Sequence, residues 1–132
     1  MSMTDSVANM LTSIRNGNAI YKPYVDVPHS NFKHEILSVL KQEKYIKDFE
    51  VLEEEGRKKL RIHLLYLVNR KRAINEIKKV SLPGKRVYCG KHKLPIIKNN
   101  LGIAVLTSPR GIVTNTTARE QGVGGEILFY IW

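Results

Sequence analysis

The segment Gly122-Val123-Gly124-Gly125 sets three glycines in four residues, directly ahead of the apolar run that ends at Trp132. Glycine-rich turns can cradle phosphates, because bare backbone N–H groups approach an anion closely. This one has no P-loop lysine and no G-x-G-x-x-G spacing after a strand, so its nucleotide signal is weak. Gly122 suits a helix C-cap. Gly124 and Gly125 forfeit backbone entropy on folding, a loss that close approach of an RNA groove to the main chain would offset. Upstream, Thr107 and Ser108 close the run Gly102-Ile103-Ala104-Val105-Leu106, and Pro109-Arg110-Gly111 turns the chain. Their hydroxyls can brace that turn, or contact a base edge or a ribose 2′-hydroxyl. Both readings stand at this point. Lys85, Arg86, Tyr88, Lys91, Lys93 and Lys98 interleave cations with one aromatic ring, a mixture suited to phosphate neutralisation and stacking.

Catalytic alternatives lack their residues. The four histidines (29, 34, 63 and 92) form no H-E-x-x-H motif, and Cys89 is the only cysteine, so no zinc site of ordinary spacing is available. No metal or cofactor is expected. Paired carboxylates for acid–base work must share a cleft, whereas Glu50–Glu55 reads as a solvated hairpin tip. A lone cysteine allows no intramolecular disulfide and points to a reducing compartment, with the cytoplasm expected and an organelle as the alternative. No stretch approaches the ~18 apolar residues of a membrane span and no apolar run opens the chain. A soluble protein without a secretory address is expected, in which Asn115-Thr116-Thr117 goes unglycosylated.

Charge supplies the partner. The 132 residues hold 22 Lys+Arg against 12 Asp+Glu, a net of +10. Residues 1–66 are nearly balanced at +1, while residues 67–132 carry +9 and no aspartate. Such a field attracts a polyanion, nucleic acid above all.

The elements that must position these groups alternate in the first half. Val7, Met10, Leu11 and Ile14 recur at helical spacing until Asn16-Gly17-Asn18 stops the helix. Tyr24–Pro28 alternates as a strand. Ser30 caps a second helix whose stripe is Phe32, Ile36, Val39 and Leu40. Strands near 46–52 and 59–65 flank the turn Glu53-Glu54-Glu55-Gly56. Asn69-Arg70-Lys71-Arg72 marks the boundary, giving an N-terminal α-β-α-β-β domain over residues 1–68 and a basic, mainly β domain over 69–132. There, Pro83-Gly84 forms a turn with positive φ at glycine, Arg86–Cys89 follows it, and Ile96–Lys98 is a short strand. Leu101–Thr107 is a strand buried on both faces. Thr114 caps a short helix ending at Gly122, and Glu126–Trp132 closes the chain as a strand.

Several of these segments resemble the bacterial-type small-subunit ribosomal protein S-eight family. The run Leu101-Gly-Ile-Ala-Val-Leu-Thr-Ser-Pro-Arg-Gly-Ile-Val-Thr114 is similar to its signature, as are Ala118-Arg119 and Gly124-Gly125-Glu126. Met3-Thr4-Asp5, Met10–Gly17 and Pro83–Tyr88 resemble its start and middle. The resemblance implies an α+β fold of two small domains, the second mostly β with one short helix. It implies a structural component of the small ribosomal subunit that binds the central domain of 16S rRNA and helps assemble the platform beside proteins S-five and S-twelve. Thr107, Ser108, Tyr88 and the Gly124-Gly125-Glu126 backbone are implied to meet one irregular RNA helix, and Thr4, Arg15 and Lys33 a second segment. The alternatives are a stand-alone RNA-binding translational regulator and, from another class, a phosphate-handling enzyme using the glycines. Two positions depart from the family pattern. Pro109 stands where a serine is usual and has neither hydroxyl nor N–H. Thr117 stands where a glutamate would complete a capping box.

Overall fold

The computed structural model describes residues 3–132, with side chains from Ser6 onward. It is α+β and divides into two compact units, one of residues 6–74 and one that joins residues 3–5 with 75–132. That division falls six residues beyond the one expected from the charge change, because the 69–74 segment is bound to the first unit. Arg72 donates from Nε to the Asn18 carbonyl (2.9 Å) and from Nη2 to that of Ala19 (2.7 Å), and Asn18 Nδ2 donates to the Ile74 carbonyl at 3.0 Å.

In the first unit, α1 (Met3–Ala19) buries Val7, Met10, Leu11 and Ile14. It runs straight through Asn16-Gly17-Asn18. Gly17 is there for packing: a Cβ on it would lie 2.6 Å from Val25 Cγ1 and 3.2 Å from Leu64 Cδ1. The helix ends two residues later in a Schellman pair, Lys22 N–H to Gly17 C=O (2.9 Å) and Tyr21 N–H to Asn18 C=O (3.4 Å). Tyr21 takes the left-handed position at φ 58 that glycine usually fills. β1 (Tyr24–Pro28), β2 (Ile46–Glu54) and β3 (Arg57–Leu64) form an antiparallel sheet in the order β1-β3-β2. The β2–β3 turn has positive φ at Glu55 and Gly56 (52 and 75), the hairpin turn whose twist matches its strands. α2 (Asn31–Gln42) starts at Ser30, whose Oγ accepts the Lys33 N–H at 3.1 Å. Its buried face is Lys33, Ile36, Leu37 and Leu40. The expected stripe is therefore rotated: Phe32 and Val39 are only half-buried, and Leu37, overlooked in the sequence, lies in the core.

In the second unit, β8 (Gly125–Ile131) is the central strand. One of its sides pairs with β4 (Ile77–Lys79) and β5 (Tyr88–Cys89), the other with β6 (Ile103–Ser108); β7 (Gly111–Thr114) continues beyond β6. All pairings are antiparallel. Ile103, Ala104, Val105 and Leu106 are consecutively buried, as an apolar run covered on both faces requires. α3 (Asn115–Gln121) packs Ala118 into a cluster with Ala104, Leu106, Val113, Ile97 and Ile127. Thr114 caps it by accepting the Thr117 N–H at 3.1 Å, and Gly122 ends it at φ 70.

Two local expectations are corrected. Pro83-Gly84 is a turn, closed by Lys85 N–H to Leu82 C=O at 3.0 Å. Gly84 is not at positive φ, however, so it is not the type II form that requires glycine there. Ile96–Lys98 is not a strand. Lys98, Asn99 and Asn100 are all left-handed (φ 48, 55 and 68). They wind the chain so that Gly102 N–H reaches Ile97 C=O at 3.2 Å and β6 can begin.

Candidate nucleic-acid interface

Register assembles the site. Tyr88 on β5 pairs with Glu126 on β8, Glu126 with Thr107 on β6, and Thr107 with Ile112 on β7. Directly opposed residues share a face of a sheet, so Tyr88, Glu126 and Thr107 form a row across three strands. Tyr88 is 69% exposed. Neither its hydroxyl nor that of Thr107 has a partner among the described residues. Glu126 is mostly covered, and its Oε2 is buried without a hydrogen bond. Arg86 Nη1 lies 3.6 Å from it, close enough for attraction and too far to donate.

The neighbouring turn is built by its sequence. Ser108-Pro109-Arg110-Gly111 presents serine first, proline second and glycine last, as a type I turn prefers, and Gly111 follows at φ 100. Ser108 Oγ donates to the Gly111 carbonyl (3.0 Å) and accepts the Arg110 N–H (3.1 Å). Its one donor is spent on the turn, leaving a single acceptor site for anything outside. Pro109 fixes the turn's φ where a third hydroxyl would otherwise stand.

The paired glycines have a cause inside the fold. A Cβ on Gly124 would collide with the carbonyl of Cys89, and one on Gly125 with the carbonyl of Thr107. They let β5 and β6 close on the start of β8, so strand approach rather than an incoming groove accounts for them. Ser81 ties the same edge together, donating to the Ile127 carbonyl at 2.6 Å and accepting the Val87 N–H at 3.0 Å.

Cations border this end of the sheet. Lys85 and Arg86 precede β5, Lys91 and Lys93 follow it, and Arg110 tips the turn beside Ser108; all five are exposed. Arg110 belongs with the candidate residues, and its signal was its place in the turn. Lys98 does not join them. Its Nζ sits 4.7 Å from the centre of the Trp132 ring, at the far end of β8 and roughly 20 Å along the strand from Glu126. The N-terminal candidates are scattered. Arg15 is half-buried on α1, and Thr4 lies in α1 with its side chain outside the described residues. Lys33 is 4% exposed, and burial pushes its amine below the ordinary lysine range.

Charge is distributed differently from the sequence expectation. With the division at 74/75, Arg70, Lys71 and Arg72 belong to the first unit, whose net of +5 approaches the +6 of residues 75–132. What separates the units is pairing. On the outer face of the first sheet Arg61 grips Asp26 with two bonds (2.9 and 3.1 Å). Lys59 bridges Asp26 (3.4 Å) and Glu54 (3.2 Å), and Lys41 meets Asp48 at 3.0 Å. In the second unit Arg86 approaches Glu126, while Lys85, Lys91, Lys93 and Arg110 meet no carboxylate among the described residues. No group of three or more His, Cys, Asp or Glu there could hold a metal, and no described helix is long and apolar enough to cross a membrane.

Known proteins match this sequence over essentially its whole length. The family described as Ribosomal protein S8 covers residues 5–132. The chain belongs to that family. It is 47% identical over 132 residues to the small ribosomal subunit protein uS8 of Geobacter sulfurreducens, covering 100% of both chains. The uS8 of Thermosipho africanus is 50% identical with 98% of each chain covered, and that of Halothermothrix orenii 47% with 100%. This S8-family chain is thus a structural component of the small ribosomal subunit and not an enzyme.

Proposed function

We propose that the β5–β8–β6 row is the RNA-binding face and that its target is the central domain of 16S rRNA. The chain acts there as a primary binder that helps assemble the platform, with proteins S-five and S-twelve as neighbours in the cytoplasmic ribosome. The observation that carries this is the row itself: an exposed tyrosine, a free threonine hydroxyl and a buried acceptor without a donor, bordered by unpaired cations. An exposed aromatic ring stacks on an unstacked base, and hydroxyl and carboxylate accept from 2′-OH or amino groups, which an irregular RNA helix displays. Lys85, Lys91, Lys93 and Arg110 supply phosphate contacts that fix orientation without reading sequence. Thr107 is the reader and Ser108 its brace. Gly124 and Gly125 serve indirectly, by letting the strands close.

The test is binding of the full chain to a central-domain 16S fragment, with chemical protection mapped on the RNA. Thr107→Val and Tyr88→Ala should each cost about 1–3 kcal/mol and blunt discrimination against an altered internal loop. If both variants stay folded and bind cognate RNA like the unaltered chain, the reading face lies elsewhere.

A further inference from the structure

β2 is an edge strand of nine residues, and among the described residues no strand pairs with its outer side. The register states which groups point outward. Asp48, Glu50 and Leu52 oppose His63, Arg61 and Lys59, while β3 bonds toward β1 through the intervening residues, as Leu64 N–H to Pro23 C=O shows. The alternate residues Phe49, Val51 and Glu53 therefore aim their peptide groups at the free edge. The Phe49 N–H confirms the phase: it bonds to the adjacent Asp48 Oδ1 at 2.7 Å instead of to β3. From Val51 to Glu53 no described group covers the edge, and Val51 is 43% exposed.

The edge has a sign as well as a shape. Residues 43–55 hold six acids (Glu43, Asp48, Glu50, Glu53, Glu54, Glu55) against Lys44 and Lys47, in a chain of net +10. Glu54 and Asp48 are engaged by lysines, and Glu50 faces His63 at 3.6 Å. Glu53 and Glu55, at the hairpin end, have no ionic partner among the described residues. An RNA backbone is repelled by such an edge, and a second copy laid antiparallel on it would set acid against acid. We propose that the outer edge of β2 accepts an extended, Lys/Arg-rich segment of another protein as a fourth strand. The ladder would form at the Val51 and Glu53 peptide groups, apolar side chains would cover Val51, and cations would meet Glu53 and Glu55. This is independent of the RNA reading, which uses none of these residues.

The experiment titrates the full, isotopically labelled chain with a ten-residue peptide alternating valine and lysine. An equal-charge control carries proline at alternate positions and cannot form a ladder. Binding of the first peptide should saturate, weaken with salt, and slow hydrogen exchange of the Val51 and Glu53 amides at least about tenfold. Val51→Pro removes one outward N–H at an edge position where proline is tolerated; it should weaken the peptide about tenfold while leaving central-domain RNA affinity unchanged. Glu53→Lys with Glu55→Lys, which leaves the backbone intact, should abolish binding even if the proline variant is disturbed. Equal shifts from both peptides would overturn the proposal, since the patch would then be charged and nothing more. So would protection of the same amides by RNA, by a neutral peptide, or by concentrating the chain alone.

Discussion

The outer face of the first sheet and the row on the second are both charged β surfaces, and their cations have opposite fates. On the first, register sets Arg61 between Asp26 and Glu50, and the acids neutralise the bases strand by strand. On the second, residues 75–132 hold three acids, and Lys85, Lys91, Lys93 and Arg110 meet no carboxylate among the described residues. The units differ little in net charge, so net charge does not locate a polyanion site. The unpaired fraction does, because a cation already held by a carboxylate releases no further counterion when phosphate arrives.

The sharpest way to break that contrast is to open the second sheet. Gly125→Ala drives a methyl into the Thr107 carbonyl, and backbone cannot yield as a flexible side chain can. We expect a loss of about 3 kcal/mol or more in urea unfolding, with RNA binding lost alongside. A cost under about 1 kcal/mol would mean that β6 and β8 are not held this closely. Next in size is a charge test. Arg110→Ala should lower the magnitude of the log–log salt slope of RNA binding by about one, whereas Arg61→Ala, removing a paired cation, should leave the slope unchanged. Equal slopes for the two variants would erase the distinction between the faces.

Ser108→Ala acts at smaller scale. It removes the bonds to Gly111 and Arg110, worth about 1–2 kcal/mol of stability together, and its effect on RNA should follow from loosening the turn. A fall in RNA affinity with no change in thermal stability would instead make Ser108 a direct reader. The first sheet answers to pH. The bidentate Arg61 bond, helped by Lys59 and opposed by burial, holds the Asp26 carboxyl below the usual carboxylate range. A depressed folded value means stability present above about pH 4 and lost as pH falls through the folded value. Asp26→Asn should therefore be less stable than the unaltered chain at pH 7, by under about 1 kcal/mol for so exposed a network. The gap should close in acid, as followed by urea midpoints at pH 7 and pH 3.

Local chemistry was legible in the sequence and rotation was not. Ser30, Thr114 and Gly122 mark helix ends through atoms within four residues of themselves, and the apolar run before Thr107 announces its own burial. The true end of α1 rests on Arg72, 54 residues from the carbonyl it caps. Asn99 and Asn100 tolerate the left-handed region of Lys98-Asn99-Asn100, but only the closure of Gly102 onto Ile97 shows the chain using it. Lys33 looked like a surface cation until α2's packing turned Leu37 inward and carried Lys33 with it. The site shows the same split: Tyr88, Thr107 and Glu126 each stood out within its own segment. Only the pairing of β5, β8 and β6 makes them a row.

The smallest effect tests how far local chemistry alone can be trusted. A capping box at α3 needs an acceptor at residue 117 to reach back to the Thr114 N–H. Thr117 instead lies with its Oγ1 3.2 Å from that of Thr114, accepting from the same hydroxyl that caps its own N–H. Thr117→Glu would exchange this hydroxyl pair for the reciprocal bond and would add an anion to the first turn, where the helix dipole favours one. Against that, Thr114 is also the last residue of β7 and pairs with Val105, which restricts how its backbone can meet the new carboxylate. A net gain of about 0.5 kcal/mol is expected, read as a small rise in the urea midpoint. RNA affinity should move the other way at low salt, because the new charge offsets the field of Lys85, Lys91, Lys93 and Arg110 in the same unit. Should stability fall, the hydroxyl pair holds the β7–α3 junction better than the missing glutamate would.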